Sequence, residues 1–315
     1  MTDLHGRIIS YLRISLTENC NLRCIYCKPD QCTTNNSDSM TKEEIVSIIR
    51  VMAESGIKKV RFTGGEPLLR KDITEIISEV SKIKGIDDIA LTTNGILLEA
   101  KAKELKDAGL MRVNVSLDTL KEERYRELTG GDLKNVLKGI AAARKEGLYP
   151  IKLNTVLINN FNKDEIEDFV NITVENDMDV RFIELMPMGV SAGWIEEEYL
   201  SSEEVLKRCP KLEMIEKDYT ASPSLLYKLP EAKGRVGIIN PISNKFCDSC
   251  NRVRLTSSGK LKLCLHSNEE IDLLGALRKG KNISDLLKKY ILEKPETHFL
   301  KEKKYIDKDM YKIGG

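Results

Sequence analysis

From the N-terminus to about residue 190, short runs of β-branched and other apolar residues alternate with stretches in which apolar residues recur at helical spacing. This alternation is typical of repeated βα units around a parallel sheet. The predicted strands are Ile8 to Leu16, Lys58 to Thr63, Asp88 to Thr92, Met111 to Leu117, Ile151 to Leu157 and Val180 to Leu185. The predicted helices are Thr41 to Ser55, Asp72 to Lys84, Glu99 to Ala108, Leu133 to Glu146 and Lys163 to Asn176. Thr41 with Glu44 three residues later predicts a capping box.

Six βα units are fewer than the eight of a closed barrel, so we expect an α/β fold with an incomplete (β/α)6 TIM-like barrel. The alternation is lost afterwards: the proline-containing stretch 190–235 predicts a connection with one short helix near Ser202 to Lys207. Residues 236–264 predict an apolar strand, a cysteine segment and a hairpin centred on Ser257 to Gly259. We therefore divide the chain into a partial barrel, 1–225, and a C-terminal module, 226–315, that closes the open side.

The composition of the chain limits the classes of protein to which it can belong. The chain has 50 Lys plus Arg against 49 Asp plus Glu, so no overall field favours nucleic acid or a membrane, and an anionic ligand must be held locally. Neither a signal-peptide pattern nor an apolar run of membrane-spanning length is found, and we expect a cytoplasmic protein. Six of the eight cysteines fall in two tight clusters, which favours metal ligation over disulfides.

The first cysteine cluster follows the first predicted strand. Cys20, Cys24 and Cys27 have the spacing Cys-x3-Cys-x2-Cys. Thiolates suit zinc or an iron-sulfur cluster, and on a four-iron cluster three cysteines leave one iron open to a ligand. From spacing alone, a zinc site or free loop thiols remain alternatives. Gly64 to Pro67 follows the second strand, and by itself this segment could be an ordinary turn.

Together the two motifs resemble the radical S-adenosylmethionine (SAM) superfamily. Tyr26 directly before the last cysteine belongs to the resemblance, and so does Gly-Gly-Glu-Pro at residues 64–67. The resemblance implies that the three cysteines bind a 4Fe-4S cluster whose open iron takes SAM. It also implies that the glycine-rich segment contacts the SAM amino group.

A second cluster, Cys247, Cys250 and Cys264, has the spacing Cys-x2-Cys-x13-Cys. Spacing alone equally allows structural zinc, with His266 as a fourth ligand. The segment from Phe246 to Leu265 resembles the C-terminal signature of the MoaA family, the GTP 3',8-cyclases of molybdenum cofactor biosynthesis. That resemblance covers nearly the whole chain. It implies that this triplet binds a second 4Fe-4S cluster, whose free iron contacts the purine of GTP.

The MoaA resemblance also implies roles for individual residues. The guanidinium group of arginine is well suited to binding phosphate oxygens. Arg252 and Arg254 would share one face of a strand, because they alternate with Val253. Family positions imply SAM contacts for Tyr26, Gly65, Ser116 and Met186. They imply GTP contacts for Arg13, Arg61, Thr92, Lys152, Arg252 and Arg254. The resemblance also implies a catalytic role for Arg252, Arg254 and the terminal Gly314 and Gly315. We interpret Cys32 and Cys209 as plain thiols.

The implied reaction converts GTP to (8S)-3',8-cyclo-7,8-dihydroguanosine 5'-triphosphate, through a SAM-derived radical that removes the 3' hydrogen. The implied partners are GTP, an external electron donor and a downstream cyclic pyranopterin monophosphate synthase, and a homodimer is left open. Two other classes compete: a peptide-modifying radical SAM enzyme and an iron-sulfur electron carrier. The first would usually carry more C-terminal cysteines, and the second would not require residues 64–67.

Overall fold

The computed structural model of the protein describes residues 1–27, 39–298 and 305–314. Its strands are β1 (Tyr11–Ser15), β2 (Lys59–Thr63), β3 (Asp88–Thr93), β4 (Arg112–Ser116), β5 (Ile151–Leu157), β6 (Met178–Glu184), β7 (Glu213–Ile215), β8 (Leu225–Lys228), β9 (Val236–Ile239), β10 (Arg252–Leu255), β11 (Lys260–Lys262) and β12 (Ile271–Asp272). Its helices are α1 (Lys42–Glu54), α2 (Ile73–Ser81), α3 (Leu98–Asp107), α4 (Glu122–Thr129), α5 (Leu133–Lys145), α6 (Asn159–Asn162), α7 (Ile166–Glu175), α8 (Ile195–Glu198), α9 (Glu203–Arg208), α10 (Leu273–Arg278), α11 (Ile283–Leu292) and α12 (Met310–Ile313).

The strands form one mostly parallel sheet in the order β12-β11-β10-β1-β2-β3-β4-β5-β6-β9-β8-β7. Strands β1 to β6 are parallel neighbours in sequence order, as expected for repeated βα units. Two strands from the C-terminal third extend this parallel run: β10 pairs with β1 and β9 pairs with β6. The six predicted βα strands are therefore confirmed, and each lies within about three residues of its predicted bounds.

The helices cover the apolar side chains of the strands. Helix α1 begins with the predicted capping box, in which Thr41 accepts from the backbone N–H of Glu44 and Glu44 accepts from that of Thr41. Its buried face includes Ile45, Ile48 and Met52, which join one continuous core with the strands. This spacing places one apolar stripe of the helix against the sheet.

The connection between β6 and β9 differs from the prediction. We expected one short helix near Ser202 to Lys207; α9 is found there, but α8 precedes it and β7 and β8 follow. These strands form an antiparallel extension on β9. The sequence of this extension shows little hydrophobic periodicity, because β7 has only three residues and two of them are exposed. Helix α4 was also not predicted, since it is highly charged and buries only Tyr125, Leu128 and Thr129.

The predicted C-terminal hairpin is confirmed as β10 and β11, with Gly259 at φ +72° in the turn. A side chain at Gly259 would meet Leu274 at 2.3 Å, so both the backbone angle and the packing require glycine. Within the described residues, no helix is long and apolar enough to cross a membrane.

Candidate active site

A cavity of about 570 Å³ lies against the inner face of the sheet. Residues of β1 to β6, β9 and β10 all contribute to its wall, together with both cysteine triplets. Every predicted site residue that the structure describes lines this cavity except Gly314, which contacts a lining residue. Gly315 and Cys32 lie outside the described residues. The fold thus brings the predicted set together, although their contacts with ligands stay predictions.

The first cysteine triplet sits in the loop after β1, at the carboxyl ends of the parallel strands. The Gly64–Gly65 segment after β2 lies directly on this loop, with the N–H of Gly65 donating to the carbonyl of Thr17 at 2.7 Å. A side-chain carbon at Gly65 would stand 2.3 Å from the carbonyl oxygen of Asn19. The glycines are therefore needed for contact with the cysteine loop itself.

Two buried carboxylates organise the surroundings of this loop. Glu66 accepts hydrogen bonds from Leu68, Thr93 and Asn94, and burial raises its pKa to about 7. Asp118 accepts a 2.6 Å hydrogen bond from the hydroxyl of Tyr26 and another from the backbone of Val156, and burial raises its pKa to about 6. Asp118 thereby fixes the ring of Tyr26, the residue between two of the cysteines.

Burial dominates the pKa values of two thiols of the first triplet, Cys24 and Cys27. Burial raises the pKa of Cys27 to about 12, and the nearby Cys20 adds to the shift. Burial also raises the pKa of Cys24 well above its usual range, aided by Cys27 and Asp118. Coordination by a metal deprotonates such thiols outright, so this set of three soft donors fits a metal cluster.

The second triplet surrounds the amino end of β10. Cys247 and Cys250 precede this strand, and Cys264 follows β11, which returns beside it. Glu184, at the carboxyl end of β6, is buried and accepts from the backbone N–H groups of Ile242 and Ser243 at 3.2 and 3.1 Å. Glu184 therefore fixes the start of the segment that carries Cys247 and Cys250.

Electrostatics distinguish the second triplet from the first. Although burial acts to raise the pKa of Cys250, the positive charges of Arg252 and Lys294 bring it below its usual value. Burial still raises the pKa of Cys264, against the effect of Lys294. Thiolates at this site would thus be stabilised by basic side chains.

His266, the alternative zinc ligand, also lines the cavity. Its ring packs against that of His298 with centroids 4.9 Å apart, and burial lowers its pKa to about 3. Within residues 1–27, 39–298 and 305–314, no group of three or more His, Cys, Asp and Glu side chains is arranged to hold a single metal ion. Cys209 is buried beside α9 and does not line the cavity.

Three arginines, which we call the arginine row, lie side by side on adjacent parallel strands. Arg13 of β1 is in register with Arg61 of β2 on one side and with Arg254 of β10 on the other. Burial and the neighbouring Arg254 lower the pKa of Arg13 well below its usual range. Burial acts to raise the pKa of Tyr11, yet Arg61, Arg13 and Lys59 lower it to about 7. The cavity is therefore strongly positive and suited to an anion.

Several polar atoms in the cavity wall are buried without a hydrogen-bond partner among the described residues. They are Nε and Nη2 of Arg252, Nε of Arg181, Oδ1 of Asn114 and Oδ1 of Asn154. Buried polar atoms are normally satisfied, so these donors and acceptors fit a polar ligand that completes the site. Arg252 also stacks on Phe246, with its guanidinium carbon 4.9 Å from the ring centre.

At the amino ends of the strands, two aspartates hold cavity lysines. Asp179 of β6 pairs with Lys152 at 2.9 Å and with Arg235 at 2.9 Å. Asp88 of β3 pairs with Lys59 at 3.0 Å and with Arg112. Despite its ion pair, the pKa of Lys152 is lowered to about 8, by burial and by the charge of Arg181.

Four charged residues in or beside the cavity wall were not predicted from the sequence: Lys59, Arg181, Asp179 and Lys294. Lys59 could have been found, because it alternates with Arg61 on β2 and so shares its face. Lys294 follows α11 and belongs to no recognisable pattern.

The C-terminal tail reaches the arginine row. The carbonyl of Gly314 accepts a 2.6 Å hydrogen bond from Arg254. A side chain at Gly314 would approach Ser15 of β1 at 2.9 Å and Thr63 of β2 at 3.0 Å. The tail is held upstream by a β-bridge between Ile306 and Met188. The predicted penultimate glycine thus lies between the first cysteine loop and β10.

The sequence of the chain matches known protein families and individual proteins. A model described as the radical SAM superfamily matches residues 14–172, and one described as molybdenum cofactor synthesis C matches residues 178–300. A protein of Peptoclostridium acidaminophilum named GTP 3',8-cyclase is 53% identical over all of this chain and 98% of its own length. A GTP 3',8-cyclase of Alkaliphilus metalliredigens is also 53% identical, over the full length of both chains.

Among solved structures, the fold is similar to that of Streptococcus suis SuiB bound to S-adenosylmethionine. The TM-score is 0.64 over 98% of this chain and 78% of SuiB, at 17% sequence identity. Identity at this level supports the fold alone.

Proposed function

The chain belongs to the GTP 3',8-cyclase family of radical SAM enzymes, and from this membership we propose that its cavity binds SAM and GTP between two iron-sulfur sites. The enzyme is a lyase that converts GTP to (8S)-3',8-cyclo-7,8-dihydroguanosine 5'-triphosphate, the first step of molybdenum cofactor biosynthesis. The observation that carries the proposal is that one cavity contains both cysteine triplets and a row of buried arginines.

The first triplet, Cys20, Cys24 and Cys27, would hold a 4Fe-4S cluster with one iron open to SAM. When bound, this cluster and SAM supply the radical that begins the reaction. Tyr26, fixed by Asp118, and the backbone of Gly65 would orient SAM, together with Ser116 and Met186. All four positions lie near the carboxyl ends of the strands, on one side of the cavity.

The second triplet, Cys247, Cys250 and Cys264, would hold a further 4Fe-4S cluster facing the base of GTP. Arg13, Arg61, Arg252, Arg254, Lys152 and Thr92 would hold the nucleotide. The charges of the four arginines and of Lys152 lie in a buried cavity, where guanidinium contacts to phosphate are stronger than in water. The partnerless Nε and Nη2 of Arg252 support this assignment, because bound GTP could accept from them. Gly314 would limit the space beside the reacting sugar.

We further propose that the sheet curves into a partial barrel closed by the C-terminal module. Strands β10 and β9 are seven positions apart in the sheet, which in a flat sheet is about 34 Å at about 4.8 Å per strand. Both nevertheless contribute to the wall of one cavity. The boundary near residue 225, the cytoplasmic location, the electron donor, the downstream synthase and a homodimer stay predictions.

Anaerobic turnover with GTP deuterated at the 3' position tests the proposal. We expect SAM cleavage to require GTP, deuterium to appear in 5'-deoxyadenosine, and the product to have the mass of the cyclised nucleotide. Absence of deuterium transfer would contradict the proposed reaction.

Metal analysis of the anaerobically reconstituted protein tests the two-cluster assignment separately. Two cubane clusters predict about eight irons per chain. Zinc retained at the second triplet after reconstitution would contradict that part of the proposal.

A further inference from the structure

Lys294 is a buried lysine beside the second cysteine triplet. It follows α11, is only 2% exposed and forms part of the cavity wall. Its ammonium donates to the carbonyl of Arg252 at 2.9 Å and to the carbonyl of Leu263. Arg252 lies two residues after Cys250 and Leu263 directly before Cys264, so this one side chain joins the two segments that carry the triplet.

The charge of Lys294 has no carboxylate partner in the part of the chain that the structure describes. Other buried cations nearby are compensated: Arg7 pairs with Asp3 at 2.6 Å, and Lys262 lies 3.9 Å from Glu270. Burying an unpaired ammonium is strongly unfavourable, because the charge loses its hydration without gaining a partner. Such a residue therefore needs a counter-charge from elsewhere.

The groups of opposite charge that face Lys294 are the thiols. Burial lowers the pKa of Lys294, while the charges of Cys250 and Cys264 oppose that shift. The other charged groups acting on it are Arg7 and Arg252, which are both positive. Among the charges that act most strongly on this ammonium, only those of the two cysteines are negative.

We propose that Lys294 is the counter-ion of the second iron-sulfur cluster, and that its charge raises the reduction potential of that cluster. The inference rests on the proposed function, which places a cluster at Cys247, Cys250 and Cys264. A cluster gains negative charge when it is reduced, so a nearby cation stabilises the reduced state. At the first triplet, by contrast, burial and the charges of Cys20, Asp309 and Asp118 all act to raise the pKa of Cys27.

The test is a reductive titration of the second cluster, followed by electron paramagnetic resonance in full-length, anaerobically reconstituted protein. Replacing Cys20, Cys24 and Cys27 with Ala leaves the second cluster as the only source of signal. In that background, Lys294→Met should shift the potential to a more negative value, and Lys294→Arg should leave it close to the parent's.

The matched control is Lys245→Met. Lys245 also donates to a backbone carbonyl, that of His298 at 3.0 Å, but it is not among the charges that act most strongly on Cys250 or Cys264. This variant loses a lysine-carbonyl bond in the same region and should keep the parent potential. An equal shift in Lys245→Met and Lys294→Met would overturn the inference, because the cause would then be loop distortion.

Iron content keeps the test decisive if Lys294→Met loads poorly. Loss of iron in Lys294→Met with retention in Lys294→Arg supports a requirement for the charge. Equal loss in both variants, or an unshifted potential in a fully loaded Lys294→Met protein, rejects it. A parent protein that binds no cluster at the second triplet would instead contradict the proposed function itself.

Discussion

At the scale of single residues, the cavity contains positive charge that its own carboxylates do not neutralise. Arg61, Arg181, Arg252 and Arg254 have no carboxylate partner within ion-pair distance among the described residues. Burial lowers the pKa values of Arg181 and Arg254 to about 10, and in each case another arginine adds to the shift. An arrangement so unfavourable in the free protein is expected where a polyanion supplies the missing charge.

Lys152 provides a test of this view through pH. Burial and Arg181 lower its pKa to about 8, against the effect of Asp179, so the ammonium is charged below pH 8 and neutral above it. On the proposed role of Lys152 in binding GTP, we expect kcat/KM for GTP to fall about tenfold as the pH rises through 8, because a charge-assisted contact is lost. The control is Lys152→Arg, which stays charged throughout. Identical pH profiles for the two proteins would rule out Lys152 as the source.

Gly314 allows a second test at this scale. Gly314→Ala places a methyl group 2.9 Å from Ser15 and 3.0 Å from Thr63, so the tail must move away from the arginine row. We expect kcat/KM to fall on the order of 100-fold, since misplacement by about 1 Å is that costly at an active site. Iron content should not change.

The matched control for this change is Gly280→Ala. Gly280 also has a positive φ, +66° against +79° for Gly314, but a methyl group there would meet no atom within 4 Å. Both variants carry the backbone cost of about 1–2 kcal/mol, and only Gly314→Ala carries the displacement. Similar activity in the two variants would show that the tail glycine has no positional role.

At the scale of helices and strands, the elements that could be predicted are those whose sequences have a clear hydrophobic periodicity. Strands β1 to β6 place buried apolar residues at alternate positions, and their helices have one apolar stripe, so both signals are strong. Strands β7 and β8 are short and lie at the edge of the sheet, where burial imposes little pattern. The parallel pairing of β10 with β1 joins residues about 240 positions apart, and no local signal encodes it.

In the candidate site, too, local sequence patterns could be recognised, whereas contacts between distant residues could not. The cysteine triplets and glycines have fixed spacings, so sequence alone found them. Arg13 and Arg61 could be placed by strand parity and family resemblance, but their register with Arg254 required the fold. Lys294 acts through two carbonyls and buried thiols, and neither leaves a trace in its own sequence neighbourhood.

The capping box of α1 permits a prediction that concerns stability alone. Thr41→Ala removes the hydroxyl that accepts from Glu44, at a cost of about 1 kcal/mol. We expect the thermal midpoint to fall by about 2 °C without loss of activity, because Thr41 does not line the cavity. Thr41→Ser keeps the acceptor and should behave like the parent protein. An unchanged midpoint in Thr41→Ala would mean that the cap does not stabilise the folded protein.

At the scale of the whole molecule, the two ends of the chain are built into the site. Residues near the N-terminus lie beside the second cysteine segment: Arg7 donates to the carbonyl of Cys247, and the backbone N–H groups of Ser10 and Tyr11 both donate to the carbonyl of Asn251. The tail returns to the first cysteine loop, where the backbone of Tyr311 forms a hydrogen bond with Cys27. The first strand therefore connects the two sites, since its carboxyl end carries one triplet and its amino end contacts the other.

Arg7 is the residue on which this connection most depends. It is buried, pairs with Asp3, and donates to the carbonyl of Cys247 at 3.0 Å and to those of Lys294, Pro295 and Glu296. If the two triplets hold one cluster each, as we propose, we expect Arg7→Met to lose the second cluster and keep the first, so that iron falls from about eight to about four per chain. Metal analysis of the reconstituted protein measures this directly.

Removing Arg7 alone also leaves the buried Asp3 without its partner, which costs about 3–5 kcal/mol. The double variant Asp3→Asn, Arg7→Met removes that penalty and still lacks the bonds to Cys247 and to residues 294–296. Arg70→Met is the matched control, because Arg70 likewise pairs with a nearby aspartate, Asp72, and donates to two backbone carbonyls, those of Leu16 and Met40. Since Leu16 precedes the first triplet, Arg70→Met should leave the second cluster in place. If the double variant of residues 3 and 7 keeps its full iron content, the N-terminal segment does not hold the second site, and Glu184 and Lys294 alone suffice.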